Sequence, residues 1–368
     1  MFDRAQIRGW LVAFTVAVIL AGAGCSRQRP VRSHLEEPFP KHLSEWNLFR
    51  ESSPKLVPND GVVPYDLTTP LFSDYADKHR FVWMPAGTSA GYRADGPFEF
   101  PVGTVLAKTF AFPQNGRVEE RLIETRLLVH AKAGWVSLPY IWDAAQREAT
   151  LELVPDPVAI KFTDTSGKEH DFTYVIPNAN ECHECHDNQK VLLPIGPKAR
   201  NLNKDYAYSS GTENQLEHWA RIGYLRGLPD ASSRPRVAQW TDTTAPVTER
   251  ARAYLDSNCA HCHQPGGQAG YTGVDFLWSQ TDIGHMGLCK SPNSAGEVGA
   301  LRYDLVPGHP DESILIYRLE STAPKVSMPA LGRDVVHVEG VQLLREWIAS
   351  LPGGCGTNSL PADSRNGE

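Results

Sequence analysis

The chain has 368 residues, enough for two or three domains with cores of their own. A formal charge of −7 without any basic stripe argues against nucleic acid as a partner. Its 30 Gly and 28 Pro imply a polypeptide rich in turns and long loops.

At the N-terminus, Arg4 and Arg8 precede an apolar stretch, Trp10 to Gly24, too short to span a bilayer. Residues 1–24 therefore read as a secretory signal. Two cleavage readings compete. Ala21-Gly22-Ala23 fits release of a soluble exported protein. Leu20 to Cys25 looks like a lipoprotein box, with Cys25 lipidated, although Gly22 stands where Leu is usual. Cysteine parity favours lipidation. Four of the seven cysteines sit in two CxxCH motifs, so lipidation of Cys25 leaves Cys289 and Cys355 to form one disulfide. The expected location is the periplasm, with a lipid anchor in the outer membrane, which Ser26 favours over the inner one.

Residues 25–40 read as a polar tether. From 41 to 178 the sequence predicts a mostly-β, sandwich-like domain. Its strands are His79–Met84, Thr104–Phe110, Arg121–His130, Trp135–Ile141, Ala149–Val154 and Asp171–Ile176, broken at Pro85, Gly103, Asn115-Gly116 and Gly134. Beyond 179 the texture shifts to helices and loops. The apolar period predicts helices over Gln215–Arg226, Val247–Asp256 and Glu339–Leu351. The expected architecture is thus multidomain. A β sandwich is followed by α-helical domains over 179–240 and 241–355, each carrying one CxxCH motif, the attachment signature of a cytochrome c-type haem domain, then a frayed tail, 356–368.

The two motifs, Cys182-His-Glu-Cys185-His186 and Cys259-Ala-His-Cys262-His263, carry the chemistry. A spacing of three puts both sulfurs on one side of a helical turn, suited to thioether bonds with two vinyl groups of a porphyrin. The following His then offers its imidazole to the iron. Two covalently bound haem c groups are the expected cofactors, held by Cys182, Cys185, Cys259 and Cys262 with His186 and His263 as proximal ligands. Zinc is the rival, since CxxC pairs bind it and His183 and His261 would add donors. Export, and a His directly after each second cysteine, favour haem.

A sixth ligand is usually Met or His from a distant loop. Met328-Pro329, between the second motif and the closing helix, is the expected ligand of the second iron, ahead of Met286. For the first iron the candidates are His218, on the helix from Gln215, and Met84 or His79 from the β region. A vacant position is the remaining alternative.

Tyr174 to Cys182 (YVIPNANEC), Pro194 to Asn203 (PIGPKARNLN), Arg250 to Leu255 and Asn258 to His263 resemble a family of exported bacterial dihaem c-type cytochromes, often lipoproteins. The resemblance runs from about Leu43 to Leu351. Val306 to Ser313, Leu315, Arg318, Met328-Pro329 and Trp347-Ile348 look like the pattern of exported class I cytochrome c domains. There the Met of the Met-Pro pair is the distal ligand, which implies that role for Met328. The long loop after Gln264 and the extra Cys289 depart from the pattern. The function expected is one-electron transfer between redox partner proteins, from the first haem to the second if a His such as His218 ligates the first. A peroxidase-like or small-molecule-binding haem enzyme is the alternative if the first iron is five-coordinate.

Overall fold

The computed structural model describes residues 29–50, 56–114, 120–164, 167–293 and 298–356. The signal, Cys25, the Asn115-Gly116 turn and nearly all of the expected tail lie outside the described residues.

The elements follow in chain order. Strands β1 (Val63–Tyr65), β2 (Asp77–Trp83), the short β3 (Ala90–Gly91), β4 (Val105–Phe112), β5 (Arg121–Ala131), β6 (Gly134–Trp142), β7 (Ala149–Leu151), β8 (Val158–Thr163) and β9 (Glu169–Tyr174) come first. Then come α1 (Glu181–His186), β10 (Asp187–Asn188), β11 (Val191–Leu192), α2 (Ala199–Leu202), β12 (Asp205–Tyr208), β13 (Gly211–Asn214), α3 (Gln215–Arg221) and β14 (Leu225–Arg226). Helices α4 (Val247–Asn258), α5 (Ile314–Glu320) and α6 (Val338–Ser350) complete the chain. None of these helices is long and apolar enough to cross a membrane.

β1, β2, β4, β5, β6 and β7 form one six-stranded antiparallel sheet in that order, while β8 and β9 make a separate ribbon. Alternation along the strands gives the sheet two buried faces. Phe81, Val105, Ala107, Leu127 and Tyr140 pack on one side with Leu43, Trp46 and Leu48. Trp46 Nε1 donates to Tyr140 Oη at 2.7 Å, and that hydroxyl donates to Pro40 O at 2.8 Å. On the other face Val82, Met84, Leu106 and Leu128 share a core with Leu192, Leu202, Leu216 and Trp219.

This arrangement corrects the expected fold class. The β region is not a full sandwich: among the described residues the two-stranded β8–β9 ribbon packs Ile160, Phe162 and Tyr174 on Phe110, Phe112 and Ile123 at one end of the main sheet, and no second sheet covers the rest. Short elements from beyond Cys182 cover it instead, and the expected boundary at 178 runs through that shared core. Nor does an α-helical cytochrome c-type haem domain follow. The molecule is mostly β, and α1, α2 and α3 are only 6, 4 and 7 residues long. The helix expected over Gln215–Arg226 stops at Arg221, just before Gly223 with φ of +82°, and Leu225–Arg226 then pairs in parallel with β3. Around the second motif, α4, α5 and α6 pack together over Tyr254, Leu255, Ile316, Leu344 and Trp347, but long turns rather than helices connect them.

The second motif's region docks on the sheet through polar bonds. Phe72 N donates to Asn258 Oδ1 at 2.7 Å, and Ser257 Oγ donates to Thr69 O at 2.7 Å. Arg200 on α2 donates two buried hydrogen bonds to the Asp256 carboxylate on α4, at 3.0 and 2.9 Å. Cys289 is bonded to Cys355, which pins the loop after the second motif to the segment beyond α6. Closing a loop of this length contributes on the order of 2–4 kcal/mol.

Candidate metal centres

The first motif is built on α1. Asn178 Oδ1 accepts from the N–H groups of Asn180 and Glu181, and Glu181 Oε2 accepts from Asn178 N at 2.8 Å, so the start of the helix is tied down reciprocally. One helical turn then carries Cys182, Cys185 and His186. Cys182 is buried and Cys185 half-buried.

His186 Nδ1 lies 2.8 Å from Leu193 O. A carbonyl only accepts, so Nδ1 carries the proton and Nε2 keeps a free lone pair. Burial pushes this imidazole down to about 4, which keeps it neutral, as a ligand must be.

The second motif lies just past α4. Cys262 N and His263 N both donate to Cys259 O, at 3.2 and 2.9 Å, so the motif is a tight turn rather than a helical continuation. His263 repeats the logic of His186. Thr272 Oγ1 gives its proton to Ala269 O at 2.7 Å and so accepts from His263 Nδ1 at 3.3 Å, again leaving Nε2 free. Burial lowers this imidazole to about 4 as well.

Each motif faces its own cleft. The first, about 1450 Å³ with its mouth, is lined by Cys182, Cys185 and His186. The second, about 1610 Å³ with its mouth, is lined by Cys259, Cys262, His263, Met286 and Met328. Cys185, His261, Pro329 and Leu331 line both, so the clefts share a wall.

At that wall the ligand atoms of Cys185, His261 and Cys262 lie within 4.8 Å of one another. A hydrogen bond from Cys262, helped by His261, brings the Cys185 thiol down to about 4, and the same bond pushes Cys262 up. This cluster is a poor zinc site of the CxxC type. Zinc would draw both sulfurs of one pair to a single ion, whereas here each pair contributes one sulfur and Cys182 and Cys259 stand apart. Two clefts, each with a vicinal thiol pair and a neutral imidazole, fit a porphyrin better.

The expected distal ligands fare differently. Met328 and Met286 both line the second cleft. His218 lines neither cleft. Its ring stacks on Tyr208 at 3.5 Å and its Nδ1 pairs with Glu213 at 2.7 Å. The route from a His218-ligated first iron loses its premise there. Met84 is buried in the core that the sheet shares with Trp219, and His79 pairs with Glu120 at 2.6 Å; neither lines the first cleft. That cleft contains no Met, and His186 and His261 are its imidazoles.

Sequence reasoning missed the residues opposite the first motif. Lys78, Arg80, Lys108 and Arg126 project from β2, β4 and β5 into the first cleft. The signal was there, since charged residues occupied positions that strand alternation assigns to a buried face. Burial brings both Lys78 and Lys108 down to about 7. No family model matches the chain, and no curated protein or solved structure matches it.

Proposed function

We propose that this chain is a dihaem c-type cytochrome that passes single electrons between redox partner proteins outside the cytoplasm. One observation carries the reading: each CxxCH presents two thiols and an imidazole with a free Nε2 to a separate cleft, and the clefts meet at Cys185 and His261, with Cys262 within 4.8 Å of both. The resemblance of the motif-flanking strings to exported dihaem cytochromes points the same way. So does the signal-like N-terminus, with Cys25 as the proposed lipid anchor to the outer membrane.

In this reading Cys182 and Cys185 hold the first haem c, and Cys259 and Cys262 the second. His186 and His263 are the proximal ligands and Met328 the distal ligand of the second iron. Bound haem supplies one-electron iron chemistry. The protein's own part is to orient the imidazoles through Leu193 and Thr272, to exclude water with apolar walls, and to bring two thioether edges side by side. A shared wall makes a short path from one site to the other.

The alternative, a haem enzyme open to small molecules at the first site, draws on that cleft's lack of Met and on its cationic face. The spin state of the first iron separates the two readings. Low-spin six-coordinate iron favours a carrier, and high-spin iron that binds added ligands favours an enzyme.

For the second site, Met328→Ala is expected to abolish the Met–iron charge-transfer band of the oxidised protein, while Met286→Ala leaves it in place. The opposite pattern in optical spectra would assign the ligand to Met286.

A further inference from the structure

Lys78, Lys108 and Arg126 converge on one ring. Their charged ends lie 5.9, 4.9 and 4.4 Å from the centre of Phe110. Register places Arg80 directly opposite Lys108, and Lys108 directly opposite Arg126, across three neighbouring strands. Like charges facing each other across a ladder destabilise a sheet, so packing alone gives no reason for the row.

Its internal neutralisation is incomplete. Arg126 is bonded through Nε and Nη2 to the buried Glu124, at 2.7 and 2.6 Å, which leaves Nη1 spare. Arg80 uses Nη1 on Asp66 at 3.0 Å. Among the described residues Lys78 Nζ donates to Ala76 O alone, at 3.0 Å. Among the described residues Lys108 has no hydrogen-bond or ion-pair partner, and its ammonium rests on Phe110 alone. Four cations on this face have Glu124 and Asp66 as bonded carboxylates, Asp66 being shared with Lys204, while Asp77 and Asp74 act on Lys78 without a hydrogen bond to it. The other charged residues lining the cleft are Lys198, Glu181 and Asp256, the last already bonded to Arg200.

We infer that Lys78, Lys108 and Arg126, gathered around Phe110 in the first cleft, form a seat for a carboxylate or oxyanion group. Spare N–H donors aimed into a partly dry cleft bind such a group by charge-assisted hydrogen bonds. Two sources share this chemistry: the propionate carboxylates of the first haem, and a free anion entering the cleft. The first source rests on the dihaem reading, and the second does not.

The test uses the full matured chain, its Lys108→Met and Lys108→Arg variants, and two readouts: calorimetric titration with inorganic phosphate at low salt, and the reduction potential of the first haem against pH. If the seat serves a free anion, the wild type binds phosphate. Lys108→Met then weakens binding about tenfold or more, and Lys108→Arg retains it. If it serves the haem's own carboxylates, phosphate does not bind. The pH at which the potential falls then moves up by about one unit in Lys108→Met, because a carboxylate that has lost its cation holds its proton longer. No phosphate binding together with superimposable potential–pH curves overturns the seat. Should Lys108→Met fail to fold, Lys78→Met reads the same seat. Colourless protein would end the haem reading, and phosphate binding alone would then decide.

Discussion

Serine at both Cys259 and Cys262 is expected to leave a chain carrying one covalent haem where the wild type carries two. Each c-type haem is held by two thioether sulfurs, and no other free cysteine among the described residues lines the second cleft except Cys185, which belongs to the first motif. The double variant should therefore lose half its haem colour per chain on a denaturing gel and in the pyridine haemochrome spectrum. The matching change at Cys182 and Cys185 should remove the other half. Undiminished colour after either change would sink the dihaem reading, as would zinc in place of iron in the wild type. Loss should be selective, because His186 and His263 are set by separate partners, Leu193 and Thr272.

The second large effect falls on stability. Arg200→Ala is expected to cost about 3–5 kcal/mol, because it leaves a buried carboxylate without its hydrogen-bonded cation. Both side chains are nearly inaccessible, at 2% for Arg200 and 1% for Asp256, so water cannot replace the lost partner. Burial alone would push the Asp256 carboxyl up, but Lys198 and Arg200 with their hydrogen bonds outweigh it and hold it below the ordinary carboxylate range. The contribution is therefore present above the unfolded value of about 3.9 and is lost as pH falls through the lower folded one. Urea denaturation at neutral pH checks the first statement. A change below about 1 kcal/mol, the range of exposed pairs, would show that the bond is not buried in solution. Replacing both residues by apolar ones of similar size should recover much of the loss.

What the sequence disclosed was local. The main strands were legible because Val, Leu and Phe alternate or run together between turn residues, and β2, β4, β5 and β6 lie within two or three residues of their expected places. Helices α4 and α6 were legible from Leu255, Leu344 and Trp347 at helical spacing. The motifs were fully legible, since CxxCH needs no tertiary information. Partnership between distant segments was not. Nothing in Leu192, Leu202 or Trp219 announces that they cover the sheet, and their apolar character fits a separate domain equally well. His218 shows the same limit: its helical position suited a ligand, yet Tyr208 and Glu213 hold it elsewhere. The strands β1 and β8 were missed because Pro64 interrupts one and Pro155 and Pro157 crowd the other.

The meeting of Cys185 with Cys262 bears on how the molecule is made. In the exported dihaem reading proposed above, compaction before porphyrin attachment would set two thiols from different motifs side by side in surroundings that favour oxidation. Attachment must then outrun collapse, or a reductant must undo the cross-link between motifs that shuts both sites. A chain exported without cofactor should run faster on a non-reducing gel than on a reducing one, and changing Cys262 to Ser alone should abolish that part of the difference.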